Sequence, residues 1–232
     1  IYPVMESRTV DKKNNTIEVV LYYERYDFRA IVKVKGKDNG VTMAVHLDKP
    51  VPAQLVGKAG MNIEFFPATY FGKTFMMDGK YDILPKHPAG NTEVRPLSEK
   101  VVQIYGEGYS YSTFNDRGRD EFLVAHPLAT GKTLVMAPED NDIRVTFKSD
   151  TDINIYDGRN LSSNGTFVVR SFLPEGKTGK VVEWYIEQGF DPQWVREPNI
   201  GISQVGYTPA QKKVAVVELD KNYVLPATAK II

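Results

Sequence analysis

The sequence contains no cysteine among its 232 residues. This absence excludes catalytic thiols, disulfide frameworks and cysteine-ligated zinc or iron–sulfur sites. The chain also lacks an excess of charge of either sign, because 29 Lys and Arg residues balance 29 Asp and Glu residues. Nucleic-acid binding usually requires a basic face, so we expect no nucleic-acid partner. No apolar run approaches the length of a membrane span, and we expect no such span.

Signature motifs of common enzyme classes are missing as well. The sequence has no Gly-x-Ser-x-Gly elbow, no phosphate-binding loop and no dinucleotide fingerprint. Its histidines, His46, His87 and His126, are widely spaced, and none belongs to a metal-binding pair. Neighbouring carboxylates such as Glu139 and Asp140 lie in charged segments, where such residues usually face solvent. We therefore assign no catalytic residue, no metal ligand and no cofactor.

The chain is rich in the residue pattern of β-strands. In the segment 30–35 the even positions are apolar and the last two odd positions are charged, which is typical of a strand with one solvent-facing side. Many such segments, separated by turns rich in Gly, Pro, Asn and Asp, predict an all-β fold, a β-sandwich or jelly-roll-like domain. The predicted strands are Thr16–Tyr23, Phe28–Lys35, Val41–Leu47, Met61–Phe66, Lys100–Tyr105, Glu121–Ala125, Thr133–Ala137, Ile143–Lys148, Ile153–Tyr156, Thr166–Phe172, Val181–Glu187, Val205–Tyr207 and Lys213–Leu219.

Two segments interrupt this pattern. Residues 67–99 are rich in aromatic residues, Gly and Pro but poor in strand signals, which predicts a long loop. Such a loop either lines a ligand groove or is held down by its own aromatic side chains. Residues 189–199 contain two prolines in a polar context, which predicts a linker. We therefore expect a β-sandwich domain over residues 1–198 and the start of a second domain over 199–232.

A specific motif follows the predicted linker. It reads Ile202-Ser203-Gln204-Val205-Gly206-Tyr207-Thr208-Pro209 and is followed by Lys213-Val214-Ala215-Val216-Val217. This closely resembles the opening of the immunoglobulin-like domain that precedes the catalytic domain in glycoside hydrolase family 9, the cellulase-type enzymes. That opening typically reads Asn-Gln-Val-Gly-Tyr-x-Pro, and Ser203 stands in the place of its Asn. The resemblance covers only the C-terminal segment, from residue 201 onward.

The resemblance implies that the chain is the non-catalytic N-terminal region of a bacterial polysaccharide-degrading glycoside hydrolase. Residues 199–232 would then be the first strands of a truncated immunoglobulin-like domain. The implied partners are a downstream catalytic domain of the same parent chain and a polysaccharide or oligosaccharide. The implied location is secreted, periplasmic or on the cell surface. Two alternatives stay open: a stand-alone carbohydrate-binding module, and a self-sufficient glycan-cleaving enzyme.

Aromatic residues provide the candidate glycan contacts. If residues 105–111 are extended, the two-residue period places tyrosines and one carboxylate on one face, with only Gly and Ser on the other. Aromatic rings pack against the C–H faces of sugars, and a carboxylate accepts hydrogen bonds from hydroxyl groups. The alternative interpretation is that these tyrosines pack in the core. The candidates are Tyr105, Glu107, Tyr109 and Tyr111 in this segment, and Tyr70, Phe71 and Tyr81 in the predicted long loop.

Overall fold

The computed structural model describes residues 3–88, 92–96, 121–159, 165–189, 195, 198–220 and 223–224. The chain divides into two compact units, Ile1–Gly189 and Phe190–Ile232. The division falls at the N-terminal end of the segment 189–199, for which the sequence predicts a linker.

The described part of unit 1 is built almost entirely of antiparallel strands, which confirms the predicted all-β, sandwich-like fold. A single helical turn, α1 (Pro67–Tyr70), and two 3-10 turns, Glu24–Tyr26 and Ala53–Leu55, connect strands there. The strands of unit 1 are β1 (Val4–Asp11), β2 (Thr16–Tyr23), β3 (Phe28–Lys37), β4 (Gly40–Leu47), β5 (Gly60–Phe65), β6 (Thr74–Met77), β7 (Lys80–Ile83), β8 (Thr92–Pro96), β9 (Glu121–Ala125), β10 (Ala129–Met136), β11 (Val145–Asp157), β12 (Phe167–Phe172) and β13 (Gly179–Gln188).

One large sheet runs in the order β1-β2-β3-β4-β13-β11-β10-β6-β7, and β12 and β5 branch from it at β11. The long strand β11 makes this branching possible. Its residues 145–149 pair with β13, whereas its residues 154–157 pair with β12. Because β11 belongs to both layers, it joins the main sheet to the layer formed by β12 and β5. Strands β8 and β9 form a separate pair.

Alternation along the strands decides which side chains enter the core. On β3, Ala30 is buried, whereas the Lys33 ammonium lies on the outer face, 2.9 Å from a carboxylate oxygen of Glu18 on β2. At the centre of the core, the ring of Trp184 meets that of Phe147 edge-on, with 5.5 Å between ring centroids. The indole Nε1–H of Trp184 donates a hydrogen bond to Ser171 Oγ at 2.8 Å. That bond connects β13 to β12 and so connects the two layers.

The prediction of a strand-poor loop over residues 67–99 is wrong for its described part. That part contains α1 and the strands β6, β7 and β8. The physical reason lies in the dipeptide Asp78-Gly79, whose residues have φ values of 48° and 82°. Asp-Gly with positive φ at both positions is the two-residue turn that suits a β-hairpin. On β6, the alternating Phe75 and Met77 are buried at 1% and 4% exposure, so the hairpin extends the main sheet.

Unit 2 contains a hairpin of β14 (Asn199–Ile202) and β15 (Ala215–Glu218) in its described part. The predicted strand Val205–Tyr207 is wrong, because these residues lie in the connection and Gly206 has a φ of 80°. The Tyr207 hydroxyl donates to the Val214 carbonyl oxygen and accepts the Ser203 N–H at 3.3 Å. The motif therefore forms the connection between β14 and β15, and the hydrogen bonds of the Tyr207 hydroxyl stabilise that connection.

A buried ion pair fixes one end of β11 in unit 1. The Arg159 guanidinium donates to both carboxylate oxygens of Asp157, at 2.8 and 2.7 Å, and their side chains are 10% and 2% exposed. The same guanidinium donates to the carbonyl oxygens of Pro85 and Lys86 and lies 4.7 Å from the centroid of the Phe167 ring. Arg159 therefore connects the segment after β7 to the ends of β11 and β12.

We expect Arg159→Ala to lower the free energy of unfolding by about 3–5 kcal/mol, because the buried Asp157 carboxylate loses its partner. Lys180→Ala is the matched control: it breaks an ion pair with Glu183 whose side chains are 51% and 40% exposed. An exposed pair contributes about 1 kcal/mol at most. Urea denaturation of both variants measures the difference. Equal losses would contradict the structural role of the buried pair.

Candidate functional site

Four of the seven predicted glycan-contact residues lie outside the described residues. The proposed face of the segment 105–111 therefore stays a prediction. These residues are Tyr105, Glu107, Tyr109 and Tyr111.

Tyr70, at the end of α1, is a core residue. Its side chain is 7% exposed, and its ring packs edge-on against Phe65 with 5.1 Å between centroids. Its hydroxyl donates to the Ile143 carbonyl oxygen at 2.8 Å, and burial raises the pKa of that hydroxyl. Tyr70 presents no open ring face to a sugar, so for this residue the structure favours the packing interpretation.

Phe71 and Tyr81 are 46% and 68% exposed, so their rings are accessible. Tyr81 is the strand partner of Met76 on β6. Because Met76 is next to the buried Phe75, Met76 and its partner Tyr81 lie on the outer face of the sheet. The Gly72 N–H donates to the Leu84 carbonyl oxygen at 2.7 Å, which brings the chain after α1 beside the end of β7. Phe66, which the sequence analysis did not select, is 77% exposed just before α1. We call Phe66, Phe71 and Tyr81 the aromatic edge.

Polar contacts hold the backbone that carries the aromatic edge. The Lys73 ammonium lies 2.8 Å from Asp140 Oδ2, and the Thr74 N–H donates to Glu139 Oε1 at 2.9 Å. The hydrogen bond from Lys73 holds the pKa of the Asp140 carboxyl below its usual value, and the same contact raises the pKa of Lys73. The segment between α1 and β6 is therefore attached to the connection between β10 and β11.

A second candidate site, which the sequence analysis missed, is a cleft of about 440 Å³ in unit 1. It lies between the inner face of β2, β3 and β4 and residues 55–62, which lead into β5. The volume falls in the range of small-molecule sites, roughly 300–1,000 Å³. Its walls on the sheet side are apolar and consist of Leu21, Phe28, Ala30, Val32, Met43 and Val45.

A few polar groups interrupt these apolar walls. Tyr23, Tyr26, Lys58, Asn62 and Arg170 contribute them. The Arg170 guanidinium donates to Asn62 Oδ1 at 3.2 Å and to the Lys58 carbonyl oxygen. Burial raises the pKa of the Tyr23 hydroxyl. We call this site the β2–β5 cleft. The residues that line the cleft are spread over positions 21–173 of the sequence, so no local motif could have predicted it.

Among the described residues, no group of three or more His, Asp or Glu side chains is arranged to hold a metal ion. The described helices include none that is both long and apolar enough to cross a membrane.

We expect Lys73→Gln to raise the pKa of Asp140 toward its ordinary value of 3.8, because the hydrogen bond from the ammonium is the largest cause of its lowering. A carboxyl whose pKa is lower in the folded state stabilises the fold at pH values above its ordinary pKa. This stabilisation is lost as the pH falls through the folded-state pKa. The carboxyl chemical shift of Asp140, followed by NMR between about pH 2 and 6, measures the pKa. Lys80→Gln, on the exposed strand β7, is the control. An unchanged pKa in Lys73→Gln would show that the ion pair does not form in solution.

Comparison with known proteins gives no relative: no protein-family model matches the chain, and no curated protein matches it.

Proposed function

We propose that the chain is a non-catalytic β-sandwich region of a bacterial polysaccharide-degrading enzyme similar to glycoside hydrolase family 9. Its role in this proposal is to support a catalytic domain of the same parent chain and to contact glycan. The location expected from this role is secreted, periplasmic or on the cell surface. The observation that carries the proposal is the motif at residues 202–217, together with the hydrogen bonds that its residues form.

The motif residues act on their own backbone. Ser203 Oγ donates to the Gly206 carbonyl oxygen at 3.1 Å, and the Tyr207 hydroxyl bridges Ser203 and Val214. The Lys213 ammonium donates to the carbonyl oxygens of Thr208 and Pro209. These contacts stabilise the connection between two antiparallel strands, β14 and β15. This supports the assignment of residues 199–232 to the first strands of an immunoglobulin-like domain.

The hairpin of β14 and β15 has a face of exposed apolar side chains, which supports the same assignment. Ile200, Ile202 and Val217 share one face and are 63%, 63% and 51% exposed. Asn199, Glu218 and Val216, which is 60% exposed, lie on the opposite face. A two-stranded hairpin is marginally stable by itself, and an exposed apolar face needs a second layer. In this proposal further strands of the parent protein supply that layer, and the downstream sequence of the parent gene tests it.

The aromatic edge supports glycan contact in unit 1. Neutral sugars carry no charge, so their binding depends on stacking against aromatic rings and on a few directed hydrogen bonds. Tyr81 and Phe71 retain accessible ring surface for this purpose. An aromatic contact contributes roughly 0.5–1.5 kcal/mol beyond its buried area, so one open site binds weakly, near the millimolar range that corresponds to about −4 kcal/mol.

We expect cello- and xyloglucan oligosaccharides to bind wild-type protein weakly, and Tyr81→Ala and Phe71→Ala each to weaken binding by roughly two- to twelvefold. Calorimetric titration at low and high salt measures this, and salt should have no effect because screening acts on charges. Tyr185→Ala is the control: Tyr185 lies on β13, four strands from β7 in the sheet, which is roughly 19 Å at the usual strand spacing. Tyr109→Ala tests the segment 105–111 separately.

The outcomes of these titrations test the aromatic contact and distinguish the proposed role from a stand-alone carbohydrate-binding module. Binding that Tyr81→Ala, Phe71→Ala and Tyr109→Ala all leave intact, or that high salt abolishes, would overturn the aromatic contact. Tight binding by residues 1–198 alone would favour the stand-alone carbohydrate-binding module instead.

We expect the chain by itself to hydrolyse neither β-glucans nor xyloglucan, because acid/base cleavage of a glycosidic bond needs a positioned pair of carboxyl groups and the proposal assigns that pair to a downstream domain. A reducing-sugar assay on purified protein measures this. Turnover that a single Asp or Glu substitution within residues 1–198 removes would establish the self-sufficient enzyme.

A further inference from the structure

The β2–β5 cleft differs in chemistry from the aromatic edge. Its walls are formed mainly by aliphatic side chains such as Leu21, Val32 and Met43. A sugar enclosed in such a cleft would leave most of the hydroxyl groups around its ring without hydrogen-bond partners, at a free-energy cost for each. The cleft is therefore a poor site for a glycan, and its occupant must have an apolar body.

Two polar groups at the cleft have no partner among the described side chains. The Tyr26 hydroxyl is shielded from solvent and has no hydrogen-bond partner in the part of the chain that the structure describes. Lys58 lines the cleft and forms no ion pair with any described side chain. A shielded hydroxyl without a partner costs free energy, so a ligand that accepts its hydrogen bond regains that cost.

The charged residues of the cleft determine which charge its ligand should carry. Its charged residues are Lys58 and Arg170, and no Asp or Glu is found among the described residues that line it. A cationic site with apolar walls attracts an anionic group attached to an apolar body and disfavours a cationic one.

We propose that the β2–β5 cleft binds a small amphipathic anion, a molecule with a hydrocarbon body and one carboxylate. The hydrocarbon lies against the inner face of β2, β3 and β4. Lys58 pairs with the carboxylate, and the Tyr26 hydroxyl donates a hydrogen bond to an oxygen of the ligand. This activity is independent of glycan contact, because no residue of the aromatic edge lines the cleft.

Titration of the whole chain with three ten-carbon probes tests the charge preference. The probes are decanoate, decanol and decyltrimethylammonium, each kept below its micelle-forming concentration. We expect decanoate to bind one molecule per chain and about tenfold more tightly than decanol, with no saturable binding of the cation. Equal binding of all three probes, or no binding of decanoate, would overturn the proposal.

Two polar substitutions test the assigned donors. Lys58→Gln should weaken decanoate binding by about tenfold and leave decanol binding unchanged. Tyr26→Phe should also weaken decanoate binding, by about two- to tenfold, without lowering the Tm, because it removes a shielded hydroxyl that has no partner. Lys80→Gln and Tyr185→Phe are the matched controls outside the cleft. Decanoate affinity that neither Lys58→Gln nor Tyr26→Phe reduces would overturn the assignment.

A blocking substitution locates the binding. Ala59 lines the cleft and is partly exposed, so Ala59→Trp should fill the space and abolish decanoate binding. Circular dichroism and the Tm establish that the variant is folded, and Val32→Phe replaces it if it is not. Binding that persists in a folded blocked variant would place the ligand elsewhere, for example on the apolar face of the hairpin of β14 and β15, and would overturn the proposal.

Discussion

The register shift in the pairing of β11 with β10 is the constraint on which the architecture of unit 1 depends. The pairing of β11 with β10 changes register between Gly131 and Thr133. At this point Asp78, in the turn between β6 and β7, accepts hydrogen bonds from the N–H groups of Lys132 and Thr133. A Cβ atom at Gly131 would lie 2.3 Å from the Asp78 carboxylate, so a larger residue would have to displace the Asp78 side chain. The shift separates the part of β11 that pairs with β13 from the part that pairs with β12.

The shared strand explains where the core lies. Phe147 on the first half of β11 and Ile153 and Ile155 on the second half are completely buried. Away from β11, β5 pairs only with β12 in the described part, so the inner face of β2, β3 and β4 is incompletely covered and the β2–β5 cleft remains. The cleft and the well-packed core are thus consequences of the same branching.

Each candidate surface suits a different class of partner. The aromatic edge offers exposed rings on a backbone held by Lys73 and Asp140, the cleft offers an apolar space with cationic groups, and the hairpin of unit 2 offers one apolar face. The proposed roles follow from these differences: stacking against neutral sugars, burial of an amphipathic anion, and packing against further strands. No residue contributes to more than one of these surfaces.

The sequence by itself determined the strand alternation and most strand positions, because side chains of a strand point to opposite faces with a period of two. Thr16–Tyr23 and Glu121–Ala125 have the predicted bounds. The predicted strands Ile143–Lys148 and Ile153–Tyr156 belong to one strand, Val145–Asp157, whose pairing with β10 shifts register at the polar residues between them. Only the tertiary structure decided that Tyr70 is buried while its neighbour Phe71 is exposed, and that residues 21–45, 55–62 and 170–173 enclose one cleft. Burial depends on which distant strand covers a side chain, and that information is absent from any local pattern.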